Sequence, residues 1–154
     1  MAMQRVRLAA RAALLMATLL SSASTGAAQK GQNAENFKAR LSPVPINISM
    51  MSTVAGTGSV TATLQGKQLT IQGTFQGLRS PATTAQIHRG SKGIPGPAIL
   101  ELKEFVVTRA EKGTVNGSVE LTPDQIADLK NGRLYLQIQS EHAPDGNLWG
   151  WLLN

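Results

Sequence analysis

The chain has 154 residues, with 15 Lys and Arg against 9 Asp and Glu, a formal net charge of +6. That length suits one ordinary domain, and 42% apolar with 16% charged residues excludes both a disordered polyelectrolyte and a polytopic membrane protein. There is no cysteine, which excludes disulfides, thiolate metal sites, iron–sulfur clusters and a cysteine nucleophile.

Met1 to Ala28 is predicted to be a secretory signal peptide. Arg5, Arg7 and Arg11 supply the basic start, and Ser21 to Ala28 is a run of small residues suited to cleavage. The apolar core between them, Ala12 to Leu20, is about nine residues against roughly 20 needed to span a bilayer. The segment carries three Arg and no acid, so the remainder holds 12 basic residues against 9 acidic, a net of +3. Those charges are scattered and not interleaved with aromatics, so nucleic acid is not an expected partner. The predicted location is secreted, in the periplasm, with no transmembrane span in the mature chain.

Gln29 to Asn36 is polar and small and reads as a loose tail, with the domain spanning 37–154. From Phe37 onward apolar residues recur with period two. Gly58 to Leu64 places Val60, Ala62 and Leu64 on one face, and Gln68 to Gln76 places Leu69, Ile71, Gly73 and Phe75 likewise. Gln65-Gly66-Lys67 between them is a hairpin turn. Further strands are predicted over 83–88, 98–107, 113–121, 133–139 and 147–153. They are separated by Gly90 to Pro97, Lys112-Gly113, Asn131-Gly132 and Pro144-Asp145-Gly146. One helix is predicted over about 122–131. Thr122 is its N-cap, Pro123 fills the first turn, Gln125 completes a capping box, and Gly132 ends it. A single short helix among many strands predicts an all-β fold, an antiparallel Greek-key-like sandwich or barrel.

The last strand, Asn147-Leu-Trp-Gly-Trp-Leu-Leu153, is apolar on both faces. Three readings follow. The strand is central and buried on both sides; or Trp149 and Trp151, with Tyr135, form an exposed aromatic anchor for a partner; or they floor a small-ligand platform. Reaction chemistry finds little support. No Gly-x-Ser-x-Gly elbow occurs, and Gly90 to Gly96 precedes a strand and lacks phosphate-loop spacing. Two histidines, His88 and His142, with Glu141 and Asp145 near the second, are the only start of a transition-metal site. No catalytic residue, metal or cofactor is expected.

Several motifs occur together in a characteristic order: Phe37 to Leu41 with Pro43 and Pro45, Gln76-Gly-Leu78, Ala85-Gln-Ile-His-Arg-Gly90, Leu121-Thr-Pro-Asp-Gln125, Gly132 to Gln139, and Pro144-Asp-Gly146 leading to Trp149-Gly150. This order resembles the chordin-type (CHRD) domain of chordin and of many secreted bacterial proteins. The resemblance implies an antiparallel β domain that binds protein ligands and does not catalyse. It also implies a polar set of which only His88 is kept here. The partner histidines are replaced by Gln86 and Gln139, and the Glu and Arg of the last strand by Asn147 and Trp149.

The resulting expectation is a non-catalytic module docking a protein partner through Trp149, Trp151, Tyr135, Gln137, Gln139, Gln86 and His88. One concrete form is a small accessory subunit peripherally associated with a larger membrane-bound periplasmic oxidoreductase. The competing expectations are a metal-binding or redox-protective protein using His88 and His142, and a structural envelope protein.

Overall fold

In the computed structural model, which describes residues 33–43, 47–101 and 106–154, the period-two segments form strands with one dry face. The predicted signal segment and residues 29–32 of the predicted tail lie outside the described residues. β1 (Glu35–Leu41) turns Phe37, Ala39 and Leu41 inward and leaves Lys38 and Arg40 outside. β2 (Thr57–Gln65) and β3 (Gln68–Gln76) form the expected hairpin, with Gly66 at φ +63° in its two-residue turn. β4 (Ala82–Arg89), β5 (Ala98–Glu101), β6 (Val106–Val107) and β7 (Gly113–Glu120) precede α1 (Pro123–Lys130). β8 (Leu134–Ser140) and β9 (Ala143–Trp151) follow it.

The strands make two antiparallel sheets, β1-β2-β3-β7-β6 and β5-β4-β8-β9. Their inner faces share one core, where Val60, Ile71 and Phe75 of the first pack with Ile87, Leu136 and Leu148 of the second. The sheets join along one seam. There Lys38 and Leu153 exchange backbone hydrogen bonds of 2.7 and 3.0 Å, and Ser42 and Trp149 exchange bonds of 2.9 and 3.0 Å. Gly150 makes this approach possible, because a Cβ there would lie 2.7 Å from Leu41 Cδ2 and 2.9 Å from the Arg40 carbonyl. Among the described residues no backbone pairing joins the other edge strands, β5 and β6, so the fold is a sandwich and not a closed barrel.

The helix forms as its sequence dictates. Thr122 accepts from the Gln125 N–H while Gln125 returns the bond to the Thr122 N–H, and Gly132 follows at φ +65°. Leu129 enters the core, and the buried Asp128 accepts from Arg89 Nε at 2.5 Å and Arg133 Nη2 at 2.6 Å. The helix is thereby tied to the ends of β4 and β8.

Three boundaries differ from expectation. β1 starts at Glu35, so the last two residues of the predicted tail are paired, Glu35 with Leu64 and Asn36 with Thr63. The predicted strand 98–107 is divided, since β5 pairs with β4 in one sheet and β6 with β7 in the other; residues 102–105 lie outside the described residues. Pro144-Asp145-Gly146 is not the hairpin turn. Ser140 pairs with Ala143, leaving Glu141 and His142 as the turn, and the three residues are taken up within β9 where its register with β8 shifts.

Candidate functional site

Antiparallel register assembles the predicted residues on the outer face of the four-stranded sheet. β4 and β8 set Gln86 against Gln137 and His88 against Tyr135; β8 and β9 set Tyr135 against Trp151 and Gln137 against Trp149. Gln139 lies next along β8, opposite Thr84. All seven therefore share one face. Every residue of β8 is nevertheless buried, because two nonlocal segments cover the outer side.

The first cover is the loop between β4 and β5. Its ends close through Arg89 N–H to the Pro97 carbonyl and Gly90 N–H to the Arg133 carbonyl. Three side chains of the face then clamp it. Tyr135 Oη accepts from the Gly96 N–H at 3.0 Å and donates to the Gly96 carbonyl at 3.1 Å. Trp151 Nε1 donates to the Gly90 carbonyl at 2.9 Å, and His88 Nδ1 lies 2.9 Å from the Gly96 carbonyl. A carbonyl oxygen only accepts, so Nδ1 is the donor of this bond and Nε2 faces away from it. That Nε2 is buried and has no partner among the described residues. The three rings are layered, with centroids 5.1 Å apart for His88–Tyr135 and 4.7 Å for Tyr135–Trp151. Burial between its neighbours raises the pKa of the Tyr135 hydroxyl, an effect that its bond to Gly96 partly offsets.

The second cover is the segment entering β2. Asn147 is fully buried in β9 and meets Ala55 twice, Nδ2 donating to its carbonyl at 3.0 Å and Oδ1 accepting its N–H at 3.1 Å. Ahead of it, Asn47 caps a single 3-10 turn over Ile48–Met50. The amides of the face are likewise engaged, except that Gln139 Oε1 is buried with no hydrogen-bond partner among the described residues. Gln139 Nε2 donates to Gln86 Oε1 at 2.7 Å, and Gln137 Nε2 donates to the Asp145 carbonyl at 2.8 Å.

The reading in which the last strand is buried on both faces holds at Trp149, which is 3% exposed and is not a protruding anchor. The seam with β1 lies on one side of it. On the other, Gly146, at φ +128°, gives the ring room that a Cβ 2.4 Å away would take. Trp151 remains half-buried. Trp149 is the shared wall of two clefts. One, about 490 Å³, lies among Asn47, Ser49, His88, Pro95, Gln137 and Asp145. The other, about 350 Å³, lies between Trp151 and Leu153 and the cations Lys38, Arg40 and Lys92.

The two histidines are not brought together. His142 sits in the β8–β9 turn, where Ser140 faces Ala82, whereas His88 is six residues further along β4, about 20 Å away. Among the described residues no group of three His, Asp or Glu is placed to hold a metal ion. Lys38, Arg40 and Lys92 join the site without having been expected there, and Asn147, expected only as the replacement of the family's Glu, holds its second cover. A polar residue inside an otherwise apolar strand was the available signal for Asn147. The cations gave none, being distant in sequence from the indoles they flank.

Fold and site together define a small antiparallel β-sandwich domain with a covered, clefted sheet face. The family model of the CHRD domain matches residues 37–152, and the chain belongs to that family. CHRD domains are small non-catalytic domains that occur in secreted proteins. No curated protein and no solved structure matches the chain. Among the described residues no helix is long and apolar enough to cross a membrane.

Proposed function

We propose that this CHRD protein is a secreted, periplasmic module that binds another protein through the outer face of its four-stranded sheet, and that its role is that of a non-catalytic accessory subunit. A peripheral partner in a larger membrane-associated oxidoreductase is the concrete form of this role. One observation carries the reading: Trp149 separates two clefts on a single face whose rings and amides are held by internal hydrogen bonds. Binding then orders few side chains, which is the condition under which a modest surface gives useful affinity. Trp and Tyr are also the residue types that most often anchor interfaces.

The test is chemical cross-linking in the intact envelope followed by purification of the tagged chain. Wild type is expected to yield a defined cross-linked complex. Ser49→Arg, on the exposed rim of the larger cleft, is expected to lose it while the melting temperature stays within a few degrees. A chain that cross-links to no protein, in wild type and variant alike, would refute the reading and favour a purely structural envelope role.

A further inference from the structure

The smaller cleft has a composition that its packing role does not account for. Lys38 and Arg40 point outward from β1 because Phe37, Ala39 and Leu41 point into the core. The seam pairs Lys38 with Leu153 and Ser42 with Trp149, which sets Arg40 opposite Trp151. On the far side the clamped loop presents Lys92 and Gly93. An apolar floor of Trp149, Trp151 and Leu153 is thus rimmed by three cations, and among the described residues no carboxylate lines the cleft. The described ion pairs engage Arg89, Lys130 and Arg133 but none of these three. Among the described residues the aromatic contacts of Trp151 are with Tyr135, whose ring lies tilted against it, and none is with these cations. Like charges around an apolar hollow repel one another, and the arrangement is relieved by an anion that also covers the indoles.

We propose that this cleft receives an acidic segment of a partner protein, with carboxylates facing Lys38, Arg40 and Lys92 and an adjacent apolar side chain lying on Trp149 and Trp151. This rests on the protein-binding reading above and specifies the chemistry of the partner. A hollow of about 350 Å³ fits one or two side chains, whereas membrane-surface binding scales with a continuous apolar face that can be buried among the lipids.

The chain contains two tryptophans, both lining this cleft, so its intrinsic tryptophan emission reports the site directly. The probe is the peptide acetyl-Glu-Asp-Phe-Asp-Glu-amide, with the Lys-for-acid peptide as control. The acidic peptide is expected to shift tryptophan emission saturably, with binding that weakens as salt rises, and the basic peptide to give no shift. The Lys38→Glu, Arg40→Glu, Lys92→Glu variant is expected to bind the acidic peptide at least tenfold more weakly and to respond to the basic one. Lys92→Glu alone, on an exposed loop, gives a graded loss if the triple variant does not fold. Equal response to both peptides, unchanged affinity after charge reversal, or a shift given only by anionic phospholipid vesicles would overturn the proposal. Envelope cross-linking separates the two layers. A complex that survives charge reversal sinks the acidic-segment proposal and spares protein binding; a wild type without any complex sinks both.

Discussion

Removing one oxygen, in Tyr135→Phe, tests whether the outer face is held by its loop clamp. The Gly96 N–H loses its acceptor, while the Gly96 carbonyl keeps His88 Nδ1. A buried donor left without a partner costs about 1–3 kcal/mol, and Gly96 is only half-buried, so a loss of about 1–2 kcal/mol is expected at neutral pH. For a domain of this size that is a fall in melting temperature of about 4–8 °C. The substitution also removes an ionisable group whose pKa is raised by burial. The folded protein therefore holds the proton more tightly than the unfolded chain. Its contribution is fully present below the unfolded value of 10.0 and is lost as pH rises through the higher folded value. Denaturant midpoints at neutral pH and above pH 10 check this, with the stability gap between wild type and variant narrowing at high pH. Because Tyr135 is the chain's single tyrosine, tyrosinate absorbance of the native protein reports it without interference. A neutral-pH midpoint unchanged by the substitution, or two proteins that lose stability in parallel at high pH, would refute the clamp.

Trp149→Ala empties a buried site and is expected to cost about 3–5 kcal/mol, read as a large drop in the denaturant midpoint; a shift of a few degrees in melting temperature would restore the exposed-anchor reading. Gly146→Ala adds a Cβ 2.4 Å from the Trp149 ring at a backbone φ of +128°, and is expected to destabilise by about 2 kcal/mol or more in the same assay. Asp128→Asn weakens the acceptor shared by Arg89 and Arg133, both about half exposed, so a loss of about 1–2 kcal/mol is expected. With His142 in the β8–β9 turn, near Ala82, and His88 at the other end of β4, a chelator is expected to leave the melting temperature unchanged. Metal analysis of untagged protein is expected to find no stoichiometric transition metal, and a stoichiometric ion lost in His88→Ala would contradict this.

Much of the fold was legible because its signals are local. Alternation placed Val60, Ala62 and Leu64 on one face, and the capping box with Thr122 and Gln125 located the helix to within a residue or two. The errors fall where a local signal has two structural outcomes. Pro144-Asp145-Gly146 carries turn residues, yet the same residues suit a bulge, and Ser140 pairing with Ala143 decided between them. The continuous stretch over 98–107 concealed a change of sheet because β5 and β6 are each too short to show a break in period.

For the site, period two tells which residues share a face but not what lies over that face. Gln86, His88, Tyr135, Gln137, Gln139, Trp149 and Trp151 could be grouped because alternation and antiparallel pairing are regular. Their burial could not be read, since the covers are held by backbone groups, the Gly96 N–H and carbonyl, the Gly90 carbonyl and the two polar atoms of Ala55, which any residue would supply. The same holds for the cationic rim. In sequence Lys38 and Arg40 are merely the solvated half of an amphipathic strand, more than a hundred residues from the indoles. They become neighbours of Trp151 and Trp149 only because Gly150 lets β1 and β9 close to backbone hydrogen-bonding distance. Gly150 thus shapes the cleft without lining it, and a side chain at that position would separate the cations from the apolar floor while leaving each strand's own pattern intact.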